Sequence, residues 1–197
     1  MLAAAPPGDA VRVGDFSPSG LREKLRNATS AAHRALDSHF GTFDLTSIAG
    51  YRRFLEANAA ALLPLEASLE RSGIVDLFAD WPQRSRGAAM AADLDCIGGA
   101  ANPLPPMAAM SRKEMLGAMY VLEGSRLGAK YLLRAVAGGQ QPQIAAATHY
   151  LQHGNGLPLW QTFLDALERE PVTPDGEVEI TASAQRAFAM FARAAGA

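Results

Sequence analysis

Apolar residues recur every three to four positions along almost the whole chain. Leu21, Leu25, Ala28, Ala32 and Leu36 step by four, three, four and four, which predicts an amphipathic helix over 20–39. Ile48, Tyr51, Phe54, Leu55, Leu62, Leu65 and Leu69 predict a second helix over 47–71, with Asn58 a polar interruption of its stripe and Pro64 a residue that should kink or split it. A shorter pattern over 84–98 stops at Gly98-Gly99. Ser111 and Glu114 have capping-box spacing, so a helix starts there and runs to Gly138-Gly139. Helical patterns follow over 142–152, 158–169 and 179–195, while 102–106, 153–158 and 171–176 read as loops. No alternating, strand-like run and no internal repeat is present. The expected fold class is all-α: one domain over 20–197, preceded by an Ala-, Pro- and Gly-rich flexible leader over 1–19.

The helix predicted after Ser111 carries three glycines, Gly117, Gly124 and Gly128. Each costs a helix roughly 1 kcal/mol relative to alanine. At about 100° per residue, all three fall within about 40° of one another around the axis. One face of this helix is therefore bare. A bare face suits a neighbouring helix packed at close range as well as it suits a flat ligand lying on the main chain.

Composition narrows the function classes. Net charge is −2 and there is no basic stripe, so nucleic acid has no electrostatic support as a partner. No run approaches the roughly 18 apolar residues of a membrane span. The single cysteine, Cys96, excludes an internal disulfide, fits a reducing cytoplasm and reads as a small apolar filler.

Four histidines are available for chemistry. His33 lies on the flank of the first apolar stripe, with Asp37 one turn later on the same face. A carboxylate there can fix the imidazole tautomer. Arg26 lies on the same side two turns earlier, about 10 Å along the axis. Spacing alone favours a surface pair of His33 and Asp37; the competing reading is an iron-ligating imidazole with a cation placed for the propionates of haem. His149 and His153 have a metal-compatible spacing but no Glu or Cys nearby to complete a site. His39 closes its helix, where the helix dipole is partner enough. No Walker loop, dinucleotide fingerprint or serine elbow appears.

Two segments carry a family resemblance. Leu25-Arg-Asn-Ala-Thr-Ser-Ala-Ala-His33-Arg-Ala-Leu-Asp37 is similar to the proximal helix of the haem oxygenase family. Tyr120-Val-Leu-Glu-Gly-Ser-Arg-Leu-Gly128 resembles the distal helix of its bacterial members. Leu55 to Leu69, Ala92 to Gly98 and Trp160 to Phe163 resemble weaker landmarks, so the likeness spans 20–195. The resemblance implies haem held between two helices and cleaved, with O2 and an external electron donor, to biliverdin, CO and ferrous iron. It implies His33 as iron ligand, oriented by Asp37. It also implies Gly124 and Gly128 as the backbone that faces haem and leaves room for O2. Ser125 stands where mammalian-type members carry aspartate, and Ala129 replaces the second glycine of their pair. Proton delivery must then use other groups, for which Arg84 and Arg86 are candidates. Arg26, Tyr120 and Lys130 are the expected propionate contacts, and Phe188 or Phe191 the edge of the pocket. The implied donor is a ferredoxin or an NAD(P)H-dependent reductase, and the implied product acceptor a bilin-binding photoreceptor. The alternative is a haem-binding or haem-sensing module of the same fold.

Overall fold

Four long helices carry the architecture. In the computed structural model, which describes residues 18–138 and 141–196, α1 (Pro18–Phe40) and α6 (Arg112–Ala137) both lie against α10 (Pro174–Ala195). The fourth, α2 (Ile48–Arg71), packs on α10 and on α5 (Gly87–Ile97). Shorter elements fill the rim: α3 (Ile74–Leu77), α4 (Trp81–Arg84), α7 (Pro142–Ala146), α8 (His149–Gln152) and α9 (Leu159–Arg169). No strand occurs among the described residues, and the class is all-α as the periodicity predicts. The expected leader lies, up to residue 17, outside the described residues; α1 already begins at Pro18.

The core forms where the predicted stripes converge. Leu25, Tyr51, Leu55, Leu62, Leu65, Leu69, Met119, Phe163 and Ile180 are fully buried. Burying such side chains stabilises the fold by about 1.5–3 kcal/mol each. The polar interruption in α2 is satisfied inside this core: Asn58 Nδ2 donates to the Phe54 carbonyl at 2.8 Å, and Tyr150 donates its hydroxyl proton to Asn58 Oδ1 at 3.3 Å.

The structure departs from the periodicity in four places. Pro64 does not split α2. The carbonyl that Pro64 cannot bond, that of Ala60, instead accepts the Leu104 N–H at 2.9 Å from the proline-rich connection. The single helix expected over 142–152 is broken into α7 and α8. The buried Asp93 carboxylate accepts the backbone N–H groups of His149 (2.9 Å) and Tyr150 (2.7 Å), and Tyr51 donates to the Ala147 carbonyl, so the intervening residues bond outward. The segment 171–176 is only half a loop. Pro174 occupies the first turn of α10, Thr173 caps it by accepting the Gly176 N–H, and Asp175 and Glu177 meet its positive end. Cys96, expected as buried filler, is exposed.

Candidate active site

The first wall of the site is α1, and half of its apolar stripe is uncovered. Leu21 and Leu25 are buried, but Ala28 and Ala32 are exposed and Leu36 only partly covered. The stripe that should meet the core therefore faces open space from Ala28 onward. His33 sits on the flank of that opening. Its Nδ1 lies 2.8 Å from Asp37 Oδ2, and both side chains are exposed. With Nδ1 donating to the carboxylate, Nε2 is left with a free lone pair. The Phe188 ring of α10 stands edge-on to the imidazole, 5.8 Å between centroids. Phe188 thus flanks His33; it and Phe191, three residues further along α10, are both buried and part of the core.

The second wall is α6, and its three glycines do different work. A Cβ on Gly117 would come 2.2 Å from the Ile180 carbonyl oxygen and 2.9 Å from the Ala184 nitrogen. Gly117 is therefore a helix-packing glycine that lets α6 lie on the backbone of α10, and it does not belong to the open face. A Cβ on Gly124 would find only the Trp160 ring, at 3.7 Å. A Cβ on Gly128 would find nothing within 4 Å. The bare stripe is closed at its start and open at its end.

The two walls come together around Tyr120. Burial raises the pKa of its phenol, against the opposing pull of the Thr29 hydroxyl and of Arg22 and Arg26 on α1. The Tyr120 and Trp160 rings lie 5.8 Å apart, and the Arg22 guanidinium stands 6.0 Å from the indole centroid. Arg26 and Tyr120 are thus neighbours, with Arg22 a third polar group beside them. Lys130 is not part of this group. It lies about 200° around α6 from Gly128, and it lines a cavity on the other face with Arg86 and Arg134. Ser125 flanks the open stripe, and its hydroxyl donates to the Leu122 carbonyl at 2.7 Å. Its proton is engaged by its own helix.

Behind α6, a buried ionic network holds the helix in place. Glu123, one residue before Gly124, is 1% exposed and lies between Arg84 Nη1 (3.4 Å) and Arg126 Nε (2.9 Å). Arg84 is equally buried. It makes two 2.8 Å bonds to Asp80 and donates to the Leu159 carbonyl and Thr162 Oγ1. Arg126 also donates to the carbonyls of His153 and Arg84. These bonds tie the segment before Gly124 to α4, to the start of α9 and to the turn after α8. Arg84 and Arg86, expected as proton suppliers on the distal side, are both buried. Arg84 is committed to ion pairs, and Arg86 donates through Nη2 to the Leu122 carbonyl.

The remaining histidines have partners of their own. His149 Nδ1 lies 2.7 Å from Asp93. His153 Nδ1 lies 3.3 Å from Arg126 Nη1, and burial together with Arg126 and Arg86 holds its pKa below the ordinary imidazole value. His39 Nε2 bonds the Ala195 carbonyl at 2.8 Å, so it serves the C-terminus of α10 and not that of its own helix.

A histidine with a free Nε2 on one helix, an uncovered main chain on another and cations where the two converge together mark the candidate site of this all-helical protein. The family model described as Heme oxygenase matches residues 19–195, and the chain belongs to the haem oxygenase family, a family of enzymes. Among curated relatives, it is 29% identical over 142 residues to the heme oxygenase of Xanthomonas campestris pv. campestris, covering 72% of this chain and 86% of that one. It is 27% identical over 189 residues to heme oxygenase PigA of Pseudomonas aeruginosa, covering 89% and 94%. Among solved structures, the NO- and CO-bound heme oxygenase of Neisseria meningitidis superposes with a TM-score of 0.73 at 21% identity, covering 89% of this chain and 92% of that one. The heme oxygenase of Leptospira interrogans gives 0.68 at 20% identity, covering 89% and 98%.

Proposed function

We propose that His33 is the iron ligand of a haem that lies between α1 and α6 and is cleaved there to biliverdin, CO and ferrous iron. The observation that carries the reading is the paired opening: His33 with Nδ1 held by Asp37, and Gly128, where an added methyl would meet no atom within 4 Å. Asp37 accepts the Nδ1 proton, so the nitrogen offered to iron is Nε2 with its lone pair. Gly124 and Gly128 allow main chain to approach the ring plane and keep side chains out of the space where O2 enters. Arg26 and Tyr120, joined by Arg22, receive the propionates and set the rotation of the ring. Phe188 excludes water from the His33 side. Haem itself brings the iron that activates O2 and the carbon that is oxidised, so the protein contributes position and exclusion. Ser125 donates toward bound ligand only by giving up its bond to the Leu122 carbonyl.

Electrons come from a ferredoxin or an NAD(P)H-dependent reductase in the cytoplasm, and a bilin-binding photoreceptor is the proposed product acceptor. Among the described residues, no helix is long and apolar enough to cross a membrane. Hemin reconstitution followed by reductase and air tests the proposal: the Soret band gives way to a biliverdin spectrum. A Soret band that survives many equivalents of electrons would refute turnover. His33→Ala should abolish the histidine-type spectrum; an unchanged spectrum would refute the ligand.

A further inference from the structure

We propose that a second cavity, on the face of α6 turned away from Gly124 and Gly128, binds a small organic phosphate. The cavity measures about 600 Å³ and lies between the C-terminal half of α6 and the turn 153–158. Lys130, Leu133 and Arg134 line it. They lie about 200°, 140° and 240° around the helix from Gly128, so the space opens on the other side of α6 from the proposed haem cleft, with Trp160 the residue that borders both.

Its charge is one-sided. Arg86, Arg126, Lys130 and Arg134 line the cavity, and no acidic side chain does so among the described residues. Arg126 is neutralised by Glu123. Arg86 makes no direct ion pair among the described residues. It is 4% exposed, it uses Nη2 on a carbonyl, and its Nε has no hydrogen-bond partner among the described residues. Its guanidinium carbon stands 5.1 Å from the Tyr150 ring centroid, which supplies no hydrogen-bond acceptor. The Glu66 oxygens accept the backbone N–H groups of Arg86 and Gly87, so Glu66 attracts the guanidinium through its charge but gives it no hydrogen bond. A buried guanidinium left this way is costly, and a bound oxyanion offsets the cost. Arg86, Lys130 and Arg134 together supply the positive charge and N–H donors that a phosphate dianion requires.

The rest of the cavity is apolar. Leu127 and Leu157 are about half exposed at its mouth, at 53% and 49%, and Trp160 lines its wall. That surface fits the hydrocarbon or aromatic part of a phosphate ester better than it fits a bare ion. The volume falls in the range of small-molecule sites.

The test does not depend on haem. The 197-residue chain, free of haem, is titrated calorimetrically at constant ionic strength with phenyl phosphate and with inorganic phosphate. One saturable site is expected, with phenyl phosphate bound at least about fivefold more tightly. The surface pair Lys130→Gln and Arg134→Gln together should weaken it at least about tenfold. Arg26→Gln, at the convergence of α1 and α6, should leave it unchanged. Arg86→Gln should abolish it, and if that variant does not fold the surface pair decides. Absence of saturation up to about 10 mM overturns the site, as does equal affinity in the surface pair or loss in Arg26→Gln. Equal affinity for the two probes overturns the organic part of the proposal.

Discussion

The glycines of α6 allow a test in which one substitution type has opposite effects on one helix. Gly128→Ala adds a methyl where nothing lies within 4 Å. The residue is inside a regular helix, so alanine gains its full propensity advantage of about 1 kcal/mol. For a chain of this size that raises Tm by about 2–4 °C. Gly124→Ala meets only the Trp160 ring at 3.7 Å, an ordinary contact, and should gain almost as much. Gly117→Ala gains the same propensity but drives its methyl to 2.2 Å from the Ile180 carbonyl oxygen and 2.8 Å from Ser183 Cβ. Backbone cannot rotate out of the way, so α6 and α10 must separate. Overpacking of this kind costs about 1–3 kcal/mol and sometimes more. The net effect should be a loss of up to about 2 kcal/mol, read as a fall in Tm of up to about 4–8 °C. Thermal melts of the haem-free protein measure all three. Haem turnover should separate them differently: the Gly128 methyl occupies the space proposed for the ring, and a 1–3 kcal/mol clash corresponds to about 5- to 150-fold lower activity. A haem-free Gly128→Ala less stable than the parent would refute the open face. A Gly117→Ala stabilised as much as Gly128→Ala would refute the close contact with α10.

Three further outcomes follow from buried charge. Glu123→Leu leaves Arg84 and Arg126 without their shared carboxylate and should cost about 3–5 kcal/mol in denaturant melts. Adding Arg84→Met should recover part of that loss, and simple additivity of the two costs would show that the pair is not coupled. Asp93→Ala removes the acceptor for two backbone N–H groups at the start of α8, so hydrogen exchange at His149 and Tyr150 should accelerate sharply; unchanged protection would refute the account of the α7–α8 break. His153 is held neutral in the fold, its pKa below the ordinary 6.5 through burial and the neighbouring Arg126 and Arg86. As pH falls through 6.5 the unfolded chain takes up this proton first, so stability is lost on acidification and retained above it. His153→Gln should flatten that part of the Tm–pH curve, and a curve parallel to the parent's would refute the assignment.

What could be read before the structure was whatever is set within a few turns of chain. The stripes of α1, α2 and α6 are local, as are the Ser111 capping box and the glycine stop at Gly98, and each forms where its spacing indicates. The His33–Asp37 pair is likewise one helical turn and forms as expected. The failures depend on residues far away in sequence. Pro64 stays inside α2 because Leu104 supplies a substitute donor, and 142–152 breaks because Asp93 waits for its amides. The glycine stripe was visible, but its division was not. Whether a bare position meets another backbone or open space is decided by α10, some sixty residues downstream of Gly117. The arginines show the same limit in charge. Arg84 and Arg86 read in the sequence as candidates for proton delivery, because nothing local marks Glu123 as a buried acceptor for Arg84 and Arg126 or shows that Arg86 is buried. Arg86 donates through Nη2 to the Leu122 carbonyl and keeps only its Nε unpaired among the described residues, a contact set by the packing of α6 and invisible in the local sequence.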